Sequence, residues 1–197
     1  MKKRAIAVAM LVALVFCVAC GGKNKREFTL GKITDGKYTN SFVGVSFVGD
    51  DSWDIAAVTD AGEVDYEGAY QIIDFEADNP DEMMSINIAY QQLSKEEQDI
   101  YEKLSEKECV KELIASGGIQ YGYEQRGFTV IELTWKQVDF LGEKRTAIYS
   151  HLEYLGEKYF FLQVIDFKCG EYMTIITMGS YYEDCTNEML CLFERYE

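Results

Sequence analysis

The chain has few of the residues on which many catalytic and nucleic-acid-binding sites depend. It contains one histidine and one proline, and 19 basic residues stand against 34 acidic residues among 197. A Ser-His-Asp or Cys-His arrangement would have to use that histidine, His151, and a zinc site with several histidines is excluded by count. The excess of negative charge argues against nucleic acid as a partner, because such binding depends on neutralising phosphates with Lys and Arg.

Sequence motifs for phosphate binding and hydrolysis are also missing. The chain has no GxGxxG, Walker loop, HExxH or GxSxG pattern. His151 lies in a predicted strand, on one face with Ala147, Tyr149 and Glu153, and we interpret it as a structural or surface residue. We therefore assign no catalytic, cofactor-binding or metal-binding residue, and we expect no cofactor.

Acidic residues form two local clusters. They are Asp60, Glu63, Asp65 and Glu67, and then Asp74, Glu76, Asp78, Asp81 and Glu82. A calcium loop supplies oxygen ligands at fixed positions of a tight turn, and neither cluster has that spacing. We interpret both clusters as solvated turns.

The first twenty residues have the order of an export signal. Lys2, Lys3 and Arg4 precede an apolar run over residues 5–19, which ends at Cys20 and is followed by two glycines. The run is shorter than the roughly 20 residues of a spanning helix and has no basic stop-transfer flank. It resembles the lipobox of bacterial lipoproteins, in which the cysteine is lipidated and becomes the new N-terminus. Cys17 stands where a lipobox usually has an aliphatic residue.

This resemblance implies a location and an anchor. Residues 1–19 would be a signal peptide, residues 20–35 the lipidated Cys20 with a tether, and residues 36–197 the domain. The protein would then lie on the extracytoplasmic face of the cell membrane, with the membrane as its partner through the lipid and another envelope protein as a second candidate partner. An uncleaved membrane anchor and an ordinary secretory signal are the alternatives.

Removal of the signal would make the chain still more acidic. Residues 1–19 contain three basic residues and no acidic one, so the formal charge changes from −15 to −18. A chain of that charge is not attracted to anionic lipid, and the acyl chains on Cys20 would have to provide the attachment.

Four further cysteines, Cys109, Cys169, Cys185 and Cys191, lie in the domain without the CxxC spacing of a redox or zinc motif. We interpret them as buried thiols. A disulfide from Cys109 to Cys169 or to Cys185 is the alternative, because extracytoplasmic proteins can keep such bonds. A bond between Cys185 and Cys191 is disfavoured, since on a predicted helix these residues would point in different directions.

Hydrophobic periodicity predicts strands and helices along the whole domain. Strands are predicted over residues 38–48, 72–77 and 84–90, and then over 128–135, 145–154, 158–167 and 172–178. A short helix is predicted near residues 55–58, and capping boxes at Ser94 and Ser105 predict a helix that breaks between them and ends at Gly117. A last helix is predicted over residues 184–196.

The order of these elements predicts the fold class. Short connections between the last four strands indicate a meander and therefore a largely antiparallel sheet. The strand around Phe160 is apolar on both faces, so it should be central and covered on both sides. We expect a single α+β domain in which this sheet packs between helices.

One segment resembles a known family. Tyr38, Asn40, Gly44, Phe47 and Trp53 match the opening "Y-x-N-x-x-x-G-x-x-F … P-x-x-W" of small, uncharacterised lipoproteins of anaerobic Gram-positive bacteria, except that the proline is missing. The resemblance extends over most of residues 36–197. It implies a PsbP-like α/β/α sandwich and an extracytoplasmic location, and it implies no catalytic residues.

These observations leave three function classes. The first is a non-enzymatic, lipid-anchored domain that binds or supports another envelope component. The second is a module that captures a small ligand or a glycan through exposed aromatic side chains, and the third is a hydrolase. A flat acidic face would favour the first, an exposed aromatic patch the second, and a deep pocket with carboxylates of perturbed pKa the third.

Overall fold

The computed structural model of the protein describes residues 28–57, 63–66, 69–169 and 171–196. Within these ranges three α-helices lie between the strands β7 and β8: α1 (Lys95–Tyr101), α2 (Glu106–Ala115) and α3 (Gly118–Gln125). A 3-10 helix, Glu188–Leu192, precedes the last strand. The strands are β1 (Lys32–Thr34), β2 (Lys37–Asn40), β3 (Val45–Phe47), β4 (Asp54–Ala57), β5 (Glu63–Tyr66), β6 (Ala69–Asn79), β7 (Met84–Gln92), β8 (Thr129–Phe140), β9 (Glu143–Tyr154), β10 (Glu157–Cys169), β11 (Tyr172–Tyr181) and β12 (Phe193–Arg195).

The strands form one large and one small antiparallel sheet. The large sheet has the order β4-β6-β7-β11-β10-β9-β8, with β5 paired to β6, and the small sheet has the order β1-β2-β3-β12. Strands β8 to β11 follow each other through short turns, and β6 and β7 form a hairpin around Pro80. The predicted antiparallel meander and the α+β class are confirmed.

The large sheet is covered on both faces. The helices pack on one face, and the small sheet packs on the other, so two apolar clusters lie on opposite sides of the central strands. Strand β10 contributes Phe160, Leu162 and Val164 to the cluster under the small sheet, and Ile165 and Phe167 to the cluster under the helices. This alternation confirms that β10 is a central strand buried from both sides.

Both predicted capping boxes are present. The Glu97 carboxylate accepts from the backbone N–H of Ser94 at 2.7 Å, and the Ser94 hydroxyl accepts from the Glu97 N–H. Ser105 and Glu108 form the same pair at the start of α2. Gly117, at φ +78°, ends α2 as predicted, and the chain then enters α3, which the sequence did not indicate.

The predicted single strand over residues 38–48 is wrong. β2 and β3 are separate, because Asn40 and Gly44 form a turn between them. The side-chain oxygen of Asn40 accepts from the Val43 N–H at 2.9 Å, and the Gly44 N–H donates to the Asn40 carbonyl at 2.9 Å. Gly44 adopts φ +79°, a conformation that favours glycine.

Two predicted helices are also wrong, because sheet pairing overrides local sequence preference. Residues 54–57 form β4, where Ile55 lies opposite Ala77 of β6. The predicted helix over residues 184–196 is instead the 3-10 helix followed by β12, which pairs with β3 in the small sheet. The Phe193 ring packs against Phe47 and Phe140 at centroid distances of 5.8 and 5.6 Å, and this contact holds the end of the chain extended.

Candidate functional site

The predicted lipidation site lies outside the described residues. Cys20, the signal segment over residues 1–19 and the start of the tether all precede Phe28, so lipidation stays a prediction. No helix within the described part of the chain combines the length and the apolar character needed to cross a membrane. The described packing begins with Phe28, whose ring stacks on Tyr172 at a centroid distance of 4.0 Å.

His151 packs as part of the sheet. It is half-buried on β9, and its ring stacks on Phe160 with centroids 4.6 Å apart and an interplanar angle of 19°. Its register partner on β8 is Glu132. The neighbouring Ser150 points to the other face, where its hydroxyl is 3.3 Å from the Tyr123 hydroxyl. The His151 ring therefore contributes to packing within the sheet.

Asp74 is the centre of a buried polar network. Its carboxylate accepts from the hydroxyl groups of Tyr38 and Tyr90 at 2.7 and 2.8 Å, and from the Asn40 amide at 2.7 Å. The Gly31 N–H donates to both carboxylate oxygens, at 2.9 and 3.1 Å. Asp74 is 1% exposed, and it sits where a bulge interrupts the pairing of β6 with β7. The interpretation of Asp74 as part of a solvated turn is wrong, because these donors replace water around the carboxylate.

The network also explains why two tyrosines remain neutral. Burial raises the pKa of Tyr38 well above its ordinary value, and the nearby Asp74 carboxylate raises it further. Burial likewise raises the pKa of Tyr90, with further contributions from Tyr38 and Asp74. Both phenol groups therefore keep their protons and donate hydrogen bonds to Asp74. The network joins strands of both sheets, and its side chains are buried. It therefore stabilises the fold and does not form a binding surface.

The rest of the second acidic cluster is exposed as predicted, although Glu76 and Asp78 lie on β6 and only Asp81 and Glu82 lie in the turn. What distinguishes Asp74 in the sequence is its position between Ile73 and Phe75 inside an apolar strand. That position was the available signal for a buried carboxylate. In the first cluster, Asp60 and Glu67 lie outside the described residues. Among the residues that are described, no three or more His, Cys, Asp and Glu side chains come together as a metal ligand set.

A second polar cluster fixes the loop after β11. The Tyr149 hydroxyl donates to the Asp184 carboxylate at 2.9 Å, and the Lys136 ammonium lies 3.0 Å from the Tyr149 ring centroid and 3.8 Å from the same carboxylate. Desolvation and Asp184 raise the pKa of Tyr149. Desolvation opposes ionisation of Asp184, but hydrogen bonds from Thr186 and Tyr149 outweigh it and hold the pKa of Asp184 below its usual value.

Two open clefts flank the large sheet. The first, of about 290 Å³, lies between the helices and strands β9 and β10, and an ion pair of Glu106 with Arg145 lines it at 2.8 Å. Arg145 also donates to the Ile165 carbonyl at 2.9 Å, and Glu106 also accepts from the Thr146 N–H. The second, of about 540 Å³, lies beside the β8–β9 turn. Glu106 and Arg145 in this first cleft are thus held by each other and by backbone groups.

The cysteines occupy different parts of the structure. Cys109 is buried on α2, with its sulfur 3.9 Å from the Tyr101 carbonyl. Cys185 is a half-buried thiol in the loop after β11, and Cys191 is an exposed thiol in the 3-10 helix, so the prediction of buried thiols is wrong for these two residues. The alternative bond from Cys109 to Cys185 is not formed. The side chain of Cys169 lies outside the part of the protein that the structure describes.

Large apolar side chains are exposed at one end of the large sheet. Met83 is 42% exposed in the β6–β7 turn, Leu155 is 87% exposed in the β9–β10 turn, and Tyr182 is 53% exposed just after β11. The Tyr181 N–H donates to the Met83 carbonyl at 3.1 Å, and the Tyr182 N–H donates to the Lys158 carbonyl at 3.0 Å. These bonds hold the three turns side by side. Together with the exposed Tyr154, these three residues are called the apolar turn surface below.

The backbone of the apolar turn surface is unusual. Met83, Leu155 and Tyr182 have φ angles of +54°, +54° and +69°. This left-handed conformation costs a residue other than glycine about 1–2 kcal/mol. Leu141 in the β8–β9 turn has the same φ of +54°, but its side chain packs against the core. At Leu155-Gly156 the positive φ angles are those that a two-residue hairpin turn requires, as they are at Leu141-Gly142. What distinguishes Met83, Leu155 and Tyr182 from Leu141 is that their side chains face water.

Comparisons with known proteins show similarity to solved structures. No protein-family model and no curated protein matches the chain. The structure is similar to the solution structure of cyanobacterial PsbP (CyanoP) from Synechocystis sp. PCC 6803, with a TM-score of 0.47 and 9% sequence identity. The match covers 90% of this chain and 99% of that chain.

Proposed function

We propose that the protein is a lipid-anchored, extracytoplasmic lipoprotein with a PsbP-like domain, and that it binds another component of the cell envelope without catalysing a reaction. The apolar turn surface carries the binding part of this proposal. The anchor rests on the N-terminal sequence pattern that ends at Cys20.

The exposed turns support a binding role, because their backbone conformation and exposed apolar side chains lower the stability of the domain when no partner covers them. Leu155 is 87% exposed in a backbone conformation that asparagine or glycine would adopt with less strain. A leucine there contributes nothing to the core, whereas it would be buried if a partner covered the turn. By contrast, Asp74 and Glu106 are held by several hydrogen bonds each, as structural carboxylates are.

The anchor is tested by replacing Cys20. Bacteria that produce the full-length protein are grown with a labelled fatty acid, and the chain is isolated from the membrane fraction. We expect label on the wild-type protein, and an unprocessed or released, unlabelled chain for Cys20→Ala. Cys17→Ala serves as the matched control and should still be labelled. Equal labelling of Cys20→Ala would contradict the anchor.

Capture of a glycan is a second candidate function, and the exposed tyrosines favour it. Tyr154 and Tyr182 are 37% and 53% exposed at the same end of the sheet, and sugar rings pack on such aromatic faces. Titration with soluble cell-wall oligosaccharides, followed by calorimetry, tests this function. A heat of binding that the wild type shows and that Tyr154→Ala and Tyr182→Ala lack would support glycan capture.

A further inference from the structure

We propose that the apolar turn surface docks an apolar protein segment flanked by Lys or Arg, at the end of the domain that faces away from the membrane. This inference deepens the proposed function and rests on it for the orientation toward the membrane. Three features of the structure support it: the position of the surface relative to Phe28, the charge around it, and the left-handed backbone of its turns.

The surface and the tether lie at opposite ends of β11. Phe28 stacks on Tyr172, the first residue of β11, whereas the surface adjoins Tyr181, the last residue of that strand. A ten-residue antiparallel strand is about 30 Å long. An eight-residue segment from Cys20 to Phe28 spans at most about 29 Å even when fully extended. A lipid on Cys20 would therefore leave the surface accessible on the far side of the domain.

Negative charge surrounds the apolar side chains. Five exposed carboxylates lie in and next to the three turns: Asp81, Glu82, Glu153, Glu157 and Glu183. Asp184, which follows Glu183, is also exposed but pairs with Lys136. The basic residues near the five carboxylates in the described part of the chain are Lys158 on β10 and Arg126, which precedes Gly127 beside the Tyr154 ring. Complementary charge guides encounter and selects partners, while buried apolar contacts provide most of the affinity. An apolar segment with basic flanks fits both features.

The same charge disfavours the other occupants. A second copy of this chain would place the five carboxylates opposite an identical set across a two-fold contact. An anionic lipid surface would be repelled by them for the same reason, and the tether holds the opposite end of the domain to the membrane. A neutral glycan would stack on the tyrosines and donate hydrogen bonds to the carboxylates, but it would not be attracted by their net charge.

The left-handed backbone at Leu155 and Tyr182 allows the apolar side chains to be replaced without disturbing the fold. Asparagine enters the left-handed region more readily than leucine or tyrosine, so Leu155→Asn and Tyr182→Asn should leave the fold intact. The double variant removes apolar area from the surface without changing its charge. Ile100→Gln is the matched control, because Ile100 is 53% exposed on α1, away from the three turns.

The experiment uses the full-length chain in nanodiscs of phosphatidylcholine. The probe is a fluorescent peptide of alternating Leu and Lys, with one analogue in which Glu replaces Lys and another in which Ser replaces Leu. Binding is followed by anisotropy at low and high salt. We expect the Leu-Lys peptide to bind the wild type and Ile100→Gln, the double variant to bind at least ten times more weakly, and both analogues to bind weakly. Salt should weaken binding, because the exposed charges are screened.

Several results would overturn the inference. If the double variant binds the peptide as tightly as the wild type, the apolar turn surface is not the binding site. If the Leu-Glu analogue binds as tightly as the Leu-Lys peptide, basic flanks are not required. Attachment to phosphatidylglycerol vesicles, or to soluble cell-wall oligosaccharides, that the double variant loses would reassign the surface to membrane or glycan. Nanodisc association is read separately, so a chain that binds peptide without associating would contradict the lipid anchor alone.

Discussion

The Tyr38 hydroxyl donates a 2.7 Å hydrogen bond to the Asp74 carboxylate, although the two residues are 36 positions apart in the chain. Tyr38 lies on β2 of the small sheet, and Asp74 lies on β6 of the large sheet. Asn40 donates to the same carboxylate from the end of β2. The Tyr38-Thr39-Asn40 sequence therefore attaches one sheet to the other.

Tyr38→Phe should lower the free energy of unfolding by about 1.5–3 kcal/mol, the usual contribution of a hydrogen bond to a charged group. The phenyl ring still packs on Phe75, so the loss reports the hydroxyl. Urea unfolding measures it. Tyr121→Phe is the control, because Tyr121 is 47% exposed and its change should be near zero. Equal values for both variants would show that the Tyr38 hydroxyl contributes no net stability.

Stability should decline at alkaline pH more steeply in the wild type than in Tyr38→Phe/Tyr90→Phe. Burial raises the pKa of both phenols in the folded protein, whereas in the unfolded chain they ionise near pH 10. Their contribution is therefore complete below about pH 10 and is lost as the pH rises above it, because the unfolded state then releases protons that the folded state retains.

The measurement is urea unfolding at a series of pH values on both sides of the tyrosine pKa. Other ionising groups are common to both proteins, so the difference between the two curves isolates Tyr38 and Tyr90. Curves that stay parallel across this range would mean that the two phenols ionise alike in the folded and unfolded states.

Gly31→Ala should destabilise the domain by about 1–3 kcal/mol, the usual cost of overpacking. A Cβ at residue 31 would lie 2.3 Å from the Tyr38 ring, so the ring would have to leave Asp74. Gly122→Ala on α3 is the matched control, because a Cβ there meets nothing within 4 Å and alanine favours helix. Thermal unfolding compares the two. A Gly31→Ala variant as stable as Gly122→Ala would contradict the described packing.

Leu155→Asn should stabilise the domain slightly, by about 0.5–1 kcal/mol, because asparagine tolerates the left-handed backbone of this turn better than leucine. Leu141→Asn changes the same residue type at the same φ of +54°, but Leu141 packs against the core, so that variant should be less stable than wild type. Chemical unfolding of both variants is the test. Changes of the same sign in both would mean that burial does not distinguish the turns.

The parts of the fold that the sequence predicted correctly depend on local interactions. The capping boxes at Ser94 and Ser105 involve residues three positions apart, and both are present. The four meander strands were indicated by strand-like runs separated by short connections, and all four are present. The wrong helix near the C-terminus had a convincing local pattern, but Phe193 pairs with Phe47, which is far away in the sequence.

The candidate site was harder to predict for the same reason. The exposed position of Leu155 depends on what surrounds the β9–β10 turn, and nothing in the Leu-Gly dipeptide distinguishes it from Leu141-Gly142, where the leucine is packed. Asp74 was assigned to a solvated turn because its donors come from Gly31, Asn40 and two tyrosines in other segments. Cys20 is the reverse case, since its assignment comes from neighbouring residues alone and stays a prediction.

The sequence by itself determined the α+β class, the antiparallel meander and the starts of α1 and α2, because adjacent residues set hydrophobic period, turn chemistry and capping. Only the tertiary structure decided that the chain ends in a strand, that Asp74 is buried, and that Met83, Leu155 and Tyr182 lie together at one end of the sheet. Those outcomes depend on contacts between distant segments, and burial and register are properties of the assembled sheets.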